Sequence, residues 1–189
     1  MTDKSALRRA VRAAHQGREA RAAQSEAICR AILASDEYRR ARVVAAYVPL
    51  RWEADITPVL MDVLSTGRTL ALPLCEAAPR MTLRRVTSLD ELIPGAYGIP
   101  EPPQTADVIA PADTDLLLIP LEAIDPTGMR LGKGGGYYDH LLAGADVPHM
   151  GCALSWQKCE SIPADAWDRP LRACAFPGGV THYSPDQTK

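Results

Sequence analysis

Three short apolar runs limit what this chain can fold into. They are Val43-Val44-Ala45-Ala46-Tyr47-Val48, Thr69-Leu70-Ala71-Leu72-Pro73-Leu74 and Asp115-Leu116-Leu117-Leu118-Ile119-Pro120. Each is strand-length, and none alternates cleanly between polar and apolar residues. A strand that is apolar on both sides must be covered on both sides, which is the habit of parallel sheets flanked by helices. Helical spacing lies between the runs. Leu7, Val11 and Ala14 mark a helix over 4–16, with Thr2 or Asp3 as its cap, and Ile28, Ile32 and Leu33 mark a second over 18–34. Thr57 as N-cap and Pro58 in the first turn open a third, which Gly67 ends. A short helix follows from about Tyr137 to Leu142. Met81–Val86 reads as a more exposed strand, His149–Leu154 as another, and Cys174-Ala175-Phe176 as a weak one. The alternation predicts an α/β layer fold with a largely parallel sheet.

At 189 residues the chain matches one domain, and it carries no internal repeat. Residues 94–113 are rich in Pro, Gly and Ala, and read as a stiffened loop within one core. From about residue 181 the sequence is polar and is expected to fray. Hydrophobic residues at 47% and charged ones at 23% exclude wholesale disorder. No apolar run approaches a membrane span, and the N-terminus lacks a secretory h-region, so a cytoplasmic protein without membrane contact is expected. Five cysteines without a CxxC pair argue against a disulfide framework or a zinc ribbon. They read as free, mostly buried thiols, although Lys158 beside Cys159 could lower one thiol pKa. Residues 1–42 hold ten of the 21 Lys/Arg but only five of the 23 Asp/Glu. Solvated helix faces account for most of these arginines. Aromatic residues at 5% are too few to stack bases, so nucleic acid is not an expected partner.

The stretch that carries most chemistry is residues 125–139, Asp-Pro-Thr-Gly-Met-Arg-Leu-Gly-Lys-Gly-Gly-Gly-Tyr-Tyr-Asp. Gly132, Gly134, Gly135 and Gly136 crowd a strand-to-helix turn, where backbone N–H groups can converge on an anion. The following helix start adds free N–H groups. Arg130 and Lys133 add positive charge, and Asp139 offers a hard oxygen suited to Mg²⁺. These are parts of a nucleoside triphosphate site. It is not a Walker A loop, because Gly134 rather than Ser or Thr follows Lys133. Nor is it the dinucleotide fingerprint, because Tyr137 stands where the third glycine belongs.

Arg130-Leu-Gly-Lys-Gly-Gly-Gly-Tyr-Tyr-Asp139 resembles the signature of the 5-formyltetrahydrofolate cyclo-ligase (methenyltetrahydrofolate synthetase) family. Other segments fall in the same order. Lys4-Ser-Ala-Leu-Arg8 resembles that family's N-terminal nucleotide-binding segment, Glu53-Ala-Asp55 its folate-contacting segment, and Gly98-Ile-Pro-Glu-Pro102 the loop before its main strand. The resemblance covers about residues 4–160. It implies a three-layer α/β/α domain with a central, mainly parallel sheet, acting as a monomer or weak dimer. It also implies ATP- and Mg²⁺-dependent conversion of 5-formyltetrahydrofolate to 5,10-methenyltetrahydrofolate, with ADP and phosphate released.

The resemblance assigns roles to residues. Lys4, Arg8, Arg130 and Lys133 hold the triphosphate, together with Leu131, Gly132, Gly134, Gly135, Gly136, Tyr137 and Tyr138 around the loop. Arg130 and Lys133 are the catalytic candidates, and Asp139 is the Mg²⁺ ligand. Glu53 contacts the folate, and a carboxylate can accept two hydrogen bonds from an amino-pyrimidinone edge. Val48, Tyr97, Tyr138 and Trp52 are candidate pocket walls. The chain departs from the family pattern at Arg172, which stands where a second metal-binding acid is usual, four residues after Asp168. An Arg can reach a phosphate but cannot ligate Mg²⁺; Asp168 is the nearest substitute acid. Two other readings follow: a paralogue that binds folate or nucleotide without turnover, and an ATP-dependent ligase acting on another small substrate.

Overall fold

The computed structural model describes residues 3–163, 165 and 168–183. The helices are α1 (Lys4–Ala13), α2 (Gly17–Ala34), α3 (Asp36–Arg40), α4 (Thr57–Ser65) and α5 (Tyr137–Ala143). The main sheet contains β1 (Val43–Ala45), β2 (Thr69–Cys75), β3 (Met81–Val86), β6 (Val108–Ile109), β7 (Leu116–Pro120), β10 (His149–Cys152), β11 (Ala173–Phe176) and β12 (Gly179–His182). Between them lie two small hairpins, β4 (Ile93–Pro94) with β5 (Pro100–Glu101), and β8 (Ala123–Ile124) with β9 (Arg130–Leu131). The sheet order is β12-β11-β10-β7-β1-β2-β3-β6. From β11 to β2 every neighbour is parallel; β12, β3 and β6 run antiparallel at the two sides.

Successive side chains of the apolar strands divide between two cores. Leu116 and Leu118 face one side, where Ile28 and Ile32 of α2 and Val59, Leu60 and Val63 of α4 cover them. Leu117 and Ile119 face the other, with Leu141 of α5, Val147 and Leu171. All four of these β7 side chains are at most 1% exposed. Each such burial is worth about 1.5–3 kcal/mol, enough to hold β7 at the centre of three layers. Helix α1 stands apart and packs Val11 onto Ala123, Met129 and Leu131 of the β8–β9 hairpin.

Several expectations needed correction at their edges. The first helix stops at Ala13, and the first strand spans only Val43–Ala45 before turning to supply loop residues. Asp3 caps α1 by accepting from the Ser5 N–H, while Thr2 lies outside the described residues. Thr57 is not the N-cap of α4. It is the first helical residue, and the Asp55 carboxylate accepts from its N–H at 3.1 Å and its hydroxyl at 2.7 Å. An ionised acid two residues upstream is the stronger acceptor. The end expected to fray from 181 is strand through His182, paired residue by residue with β11; residues 184–189 lie outside the described set.

The thiols fit the expectation of free cysteines, with one correction. Burial pushes Cys29 and Cys159 up to about 11 and Cys75 up to about 12, and raises Cys152 and Cys174 as well. Lys158 does not activate Cys159, because its ammonium sits 4.1 Å over the Phe176 ring. At pH 7 the native protein is therefore expected to react with iodoacetamide far more slowly than the urea-unfolded chain. Rapid labelling of one native thiol would contradict this.

Candidate active site

The sheet reverses direction of growth at β1. From β1 the chain crosses through α4 to β2 on one side, whereas from β7 it crosses through α5 to β10 on the other. The loops leaving the carboxyl ends of β1 and β7 therefore diverge and open a crevice, the usual ligand position in open parallel sheets. The β1 loop supplies Val48, Trp52 and Glu53. The β7 loop supplies Glu122, the β8–β9 hairpin and the glycines 132–136.

These two loops meet through an ion pair. The Glu53 side chain is 4% exposed, and its Oε1 lies 2.6 Å from Lys133 Nζ. Its Oε2 accepts from the Leu50 N–H at 2.8 Å. Arg21 straps the same turn by donating to the Glu53 carbonyl at 2.6 Å and the Leu50 carbonyl at 3.0 Å. The Lys133 ammonium also stands 5.7 Å over the Trp52 ring. Trp52 Nε1 is buried without a hydrogen-bond partner among the described residues. Beside it opens a cavity of about 600 Å³ walled by Trp52, Trp156, His15, Arg51 and Arg12. Val48 is half-buried and packs against the core beneath the β1 loop.

The glycine loop is built as its sequence demands. Gly134 (φ +104) and Gly136 (φ +70) adopt left-handed backbone that side chains disfavour. Arg8 of α1 donates from Nε to the Gly132 carbonyl at 2.8 Å, and a Cβ at Gly134 would stand 3.5 Å from its guanidinium. Gly134, Gly135 and Gly136 are exposed, whereas Leu131 is buried in the α1–hairpin core. Tyr137 hydrogen-bonds through its hydroxyl to that of Tyr97 at 3.0 Å. That bond, more than burial, pushes Tyr137 up to about 12. Tyr97 is 74% exposed and holds φ +58, a strained conformation for a bulky residue. Tyr138 is half-buried and packs against the α5 core; burial raises its pKa.

The other charges come in pairs. Arg130, whose side chain is 4% exposed, holds Asp139 Oδ1 at 2.5 Å through Nη2, while its buried Nε has no partner among the described residues. Lys4 Nζ lies 2.7 Å from both Asp165 Oδ2 and Asp168 Oδ2. Burial lowers the Lys4 pKa, but the bonds to these two acids outweigh it and the net shift is upward. Asp168 is therefore engaged with Lys4. Arg172 pairs with Asp146 on the rim of a cavity of about 950 Å³ that also includes His149, Arg169 and Leu171. Burial depresses the His149 pKa against the opposing hydrogen bonds to the Val147 and Pro170 carbonyls, and the charges of Arg172 and Arg130 add to the depression. Among the described residues no group of three or more His, Cys, Asp or Glu is placed to hold a metal. Asp139 offers one carboxylate beside the loop, which suits Mg²⁺ carried in by phosphates and water.

Sequence reasoning missed the Arg12–Glu122 pair. Both guanidinium–carboxylate contacts are 3.1 Å, and Glu122 is buried between α1 and the hairpin. The readable signal was an acid inside the otherwise apolar stretch from Leu116 to Ile124. The Arg21 strap had no such signal.

Comparison with known proteins gives one consistent result. The sequence profile of the 5-formyltetrahydrofolate cyclo-ligase family matches residues 1–177. The 5-formyltetrahydrofolate cyclo-ligase of Escherichia coli K12 is 31% identical over 149 residues, covering 76% of this chain and 82% of that protein. The solution structure of Aquifex aeolicus 5,10-methenyltetrahydrofolate synthetase superposes with a TM-score of 0.82 at 34% identity, covering 95% of this chain and 92% of that one. The Mycoplasma pneumoniae synthetase shares the fold, with a TM-score of 0.75 at 21% identity over 93% of this chain and 99% of that one.

Proposed function

Because the chain belongs to the 5-formyltetrahydrofolate cyclo-ligase family, we propose that it converts 5-formyltetrahydrofolate to 5,10-methenyltetrahydrofolate, consuming ATP and releasing ADP and phosphate. The observation that best supports this reading is the meeting of Glu53 and Lys133 across the crevice: a buried carboxylate that could accept from a pterin edge lies against the glycine loop. The aromatic cavity next to Trp52, with Arg51 on its rim and Arg12 already paired with Glu122, suits an aromatic ligand.

The chemistry explains why no nucleophile is needed. A formamide oxygen leaves poorly. Transfer of the γ-phosphoryl group onto it makes phosphate the leaving group, and the neighbouring amine then closes the ring. Such a step needs alignment and charge neutralisation. Glu53 orients the pterin through its two oxygens. The exposed glycines let the triphosphate approach the backbone, and Arg8 holds that backbone through the Gly132 carbonyl. Arg130 keeps a buried Nε–H that no described residue accepts, a donor in reserve for transferred charge, and Asp139 fixes its guanidinium. Lys4, at the start of α1, would have to leave Asp165 and Asp168 to serve as a further cation for the phosphates. Asp139 would be the residue to hold a Mg²⁺ ion arriving with the nucleotide, and the ion would help neutralise phosphate charge.

The test is absorbance. With 5-formyltetrahydrofolate, ATP and Mg²⁺, the methenyl product is expected to appear as a long-wavelength band that requires ATP. Arg172 favours a second reading, a protein that binds both ligands without turnover, since it replaces an acid and is held by Asp146. A flat trace with both ligands demonstrably bound would select that reading.

A further inference from the structure

We infer that Lys133 is an exchangeable counter-ion, held by Glu53 in the free protein and passed to the nucleotide phosphates when folate binds. Folate and nucleotide would then each strengthen the binding of the other. The inference rests on the cyclo-ligase reading of this crevice and concerns how its two ligands communicate.

The geometry creates a competition. A pterin edge needs an acceptor site on each Glu53 oxygen: Oε2 can take a second donor beside the Leu50 N–H at 2.8 Å, whereas the full charge of Lys133 at 2.6 Å covers Oε1. The Leu50 contact belongs to a turn strapped by Arg21, so it is the less mobile of the two. Lys133 is the movable partner. Its side chain is 39% exposed, and its neighbours Gly132 and Gly134 leave the ammonium free to swing. A Lys ammonium is a compact charge on a flexible stem and trades one anion for another without a fixed geometry.

The neighbouring cations make poorer messengers. Lys4 is held by two carboxylates, Arg130 is buried against Asp139, and Arg8 is bound to the loop backbone itself. Lys133 alone among these four pairs with the opposite loop of the crevice. A pterin that takes Glu53 Oε1 releases the ammonium beside the phosphate loop. A triphosphate that draws the ammonium away vacates Oε1. By linkage the two effects must be equal in binding free energy.

Trp52 supplies an independent reporter, because the same ammonium lies 5.7 Å from its ring centroid. The first measurement titrates 5-formyltetrahydrofolate by calorimetry, without nucleotide and with a saturating non-hydrolysable ATP analogue and Mg²⁺. Wild-type protein is expected to bind the folate about tenfold more tightly in the presence of the analogue, and Lys133→Met to lose that gain. Lys133→Met should also bind folate alone at least as tightly as wild type, since nothing must be displaced. Equal coupling in both proteins, or none in wild type, overturns the inference. The second measurement adds the analogue alone and follows the emission lost in Trp52→Phe. An unchanged Trp52 signal means the ammonium stays on Glu53 and likewise rejects the exchange. If the protein turns substrate over but shows no coupling, only this inference fails. If folate and analogue do not bind, the cyclo-ligase reading fails with it.

Discussion

Asp139→Asn is expected to lower turnover at least about a hundredfold, the scale seen when one preorganised group at a developing charge is lost. It is also expected to destabilise the fold. Arg130 is 4% exposed, and Asp139 is the carboxylate it contacts. Removing one partner of a fully buried pair costs about 3–5 kcal/mol; Asp139 is 27% exposed, so a discounted cost of about 2–3 kcal/mol is appropriate. In a chain of this length that lowers the melting temperature by about 4–12 °C. The two effects need separating, because a half-unfolded enzyme is also slow. Leu60→Ala provides the comparison. Leu60 is 1% exposed in α4, under the opposite face of the sheet, and its truncation costs about 2–5 kcal/mol. Measured well below both melting points, Leu60→Ala should keep its kcat while Asp139→Asn should not. Undiminished kcat in Asp139→Asn would remove this carboxylate from the reaction.

The difference between what the sequence revealed and what it hid is physical. The β7 run was legible because a strand buried on both faces has no polar positions to confuse its pattern. The four-glycine loop was legible because left-handed backbone at Gly134 and Gly136 needs residues without a Cβ. Pairing was not legible. Lys4 with Asp165 and Asp168, and Arg12 with Glu122, join residues more than a hundred positions apart, and a charge carries no periodicity that names its partner. Lys133 shows the consequence. Its place in the loop suggested a phosphate ligand, yet it rests on Glu53 from the other side of the crevice. Arg172 was recognisable as a departure, but only the fold set it against Asp146. The small edge strand β12 was missed because its pairing with β11 depends on backbone bonds more than on side-chain pattern.

Glu53→Gln should behave in the opposite way to Asp139→Asn: a large loss of folate affinity with little loss of stability. The glutamine keeps the shape and one acceptor oxygen but presents an NH₂ group where the pterin also donates. Two charge-assisted hydrogen bonds worth about 1.5–3 kcal/mol each are weakened or lost, and a net loss of about 3 kcal/mol corresponds to roughly a hundredfold. Stability responds less because the stranded partner is Lys133, which is 39% exposed and can return to water, whereas Arg130 cannot. The turn itself survives, since Arg21 binds the main-chain carbonyls of Leu50 and Glu53 and not the carboxylate. KM for 5-formyltetrahydrofolate is therefore expected to rise about a hundredfold with kcat changed only a few-fold, as expected when binding common to ground and transition states is removed. Nucleotide affinity measured without folate should hold or improve, because Lys133 is no longer claimed by an anion. A variant that keeps folate affinity would take Glu53 out of the pterin site. One that loses nucleotide affinity instead would mean that Glu53 holds Lys133 in place for the phosphates rather than competing for it.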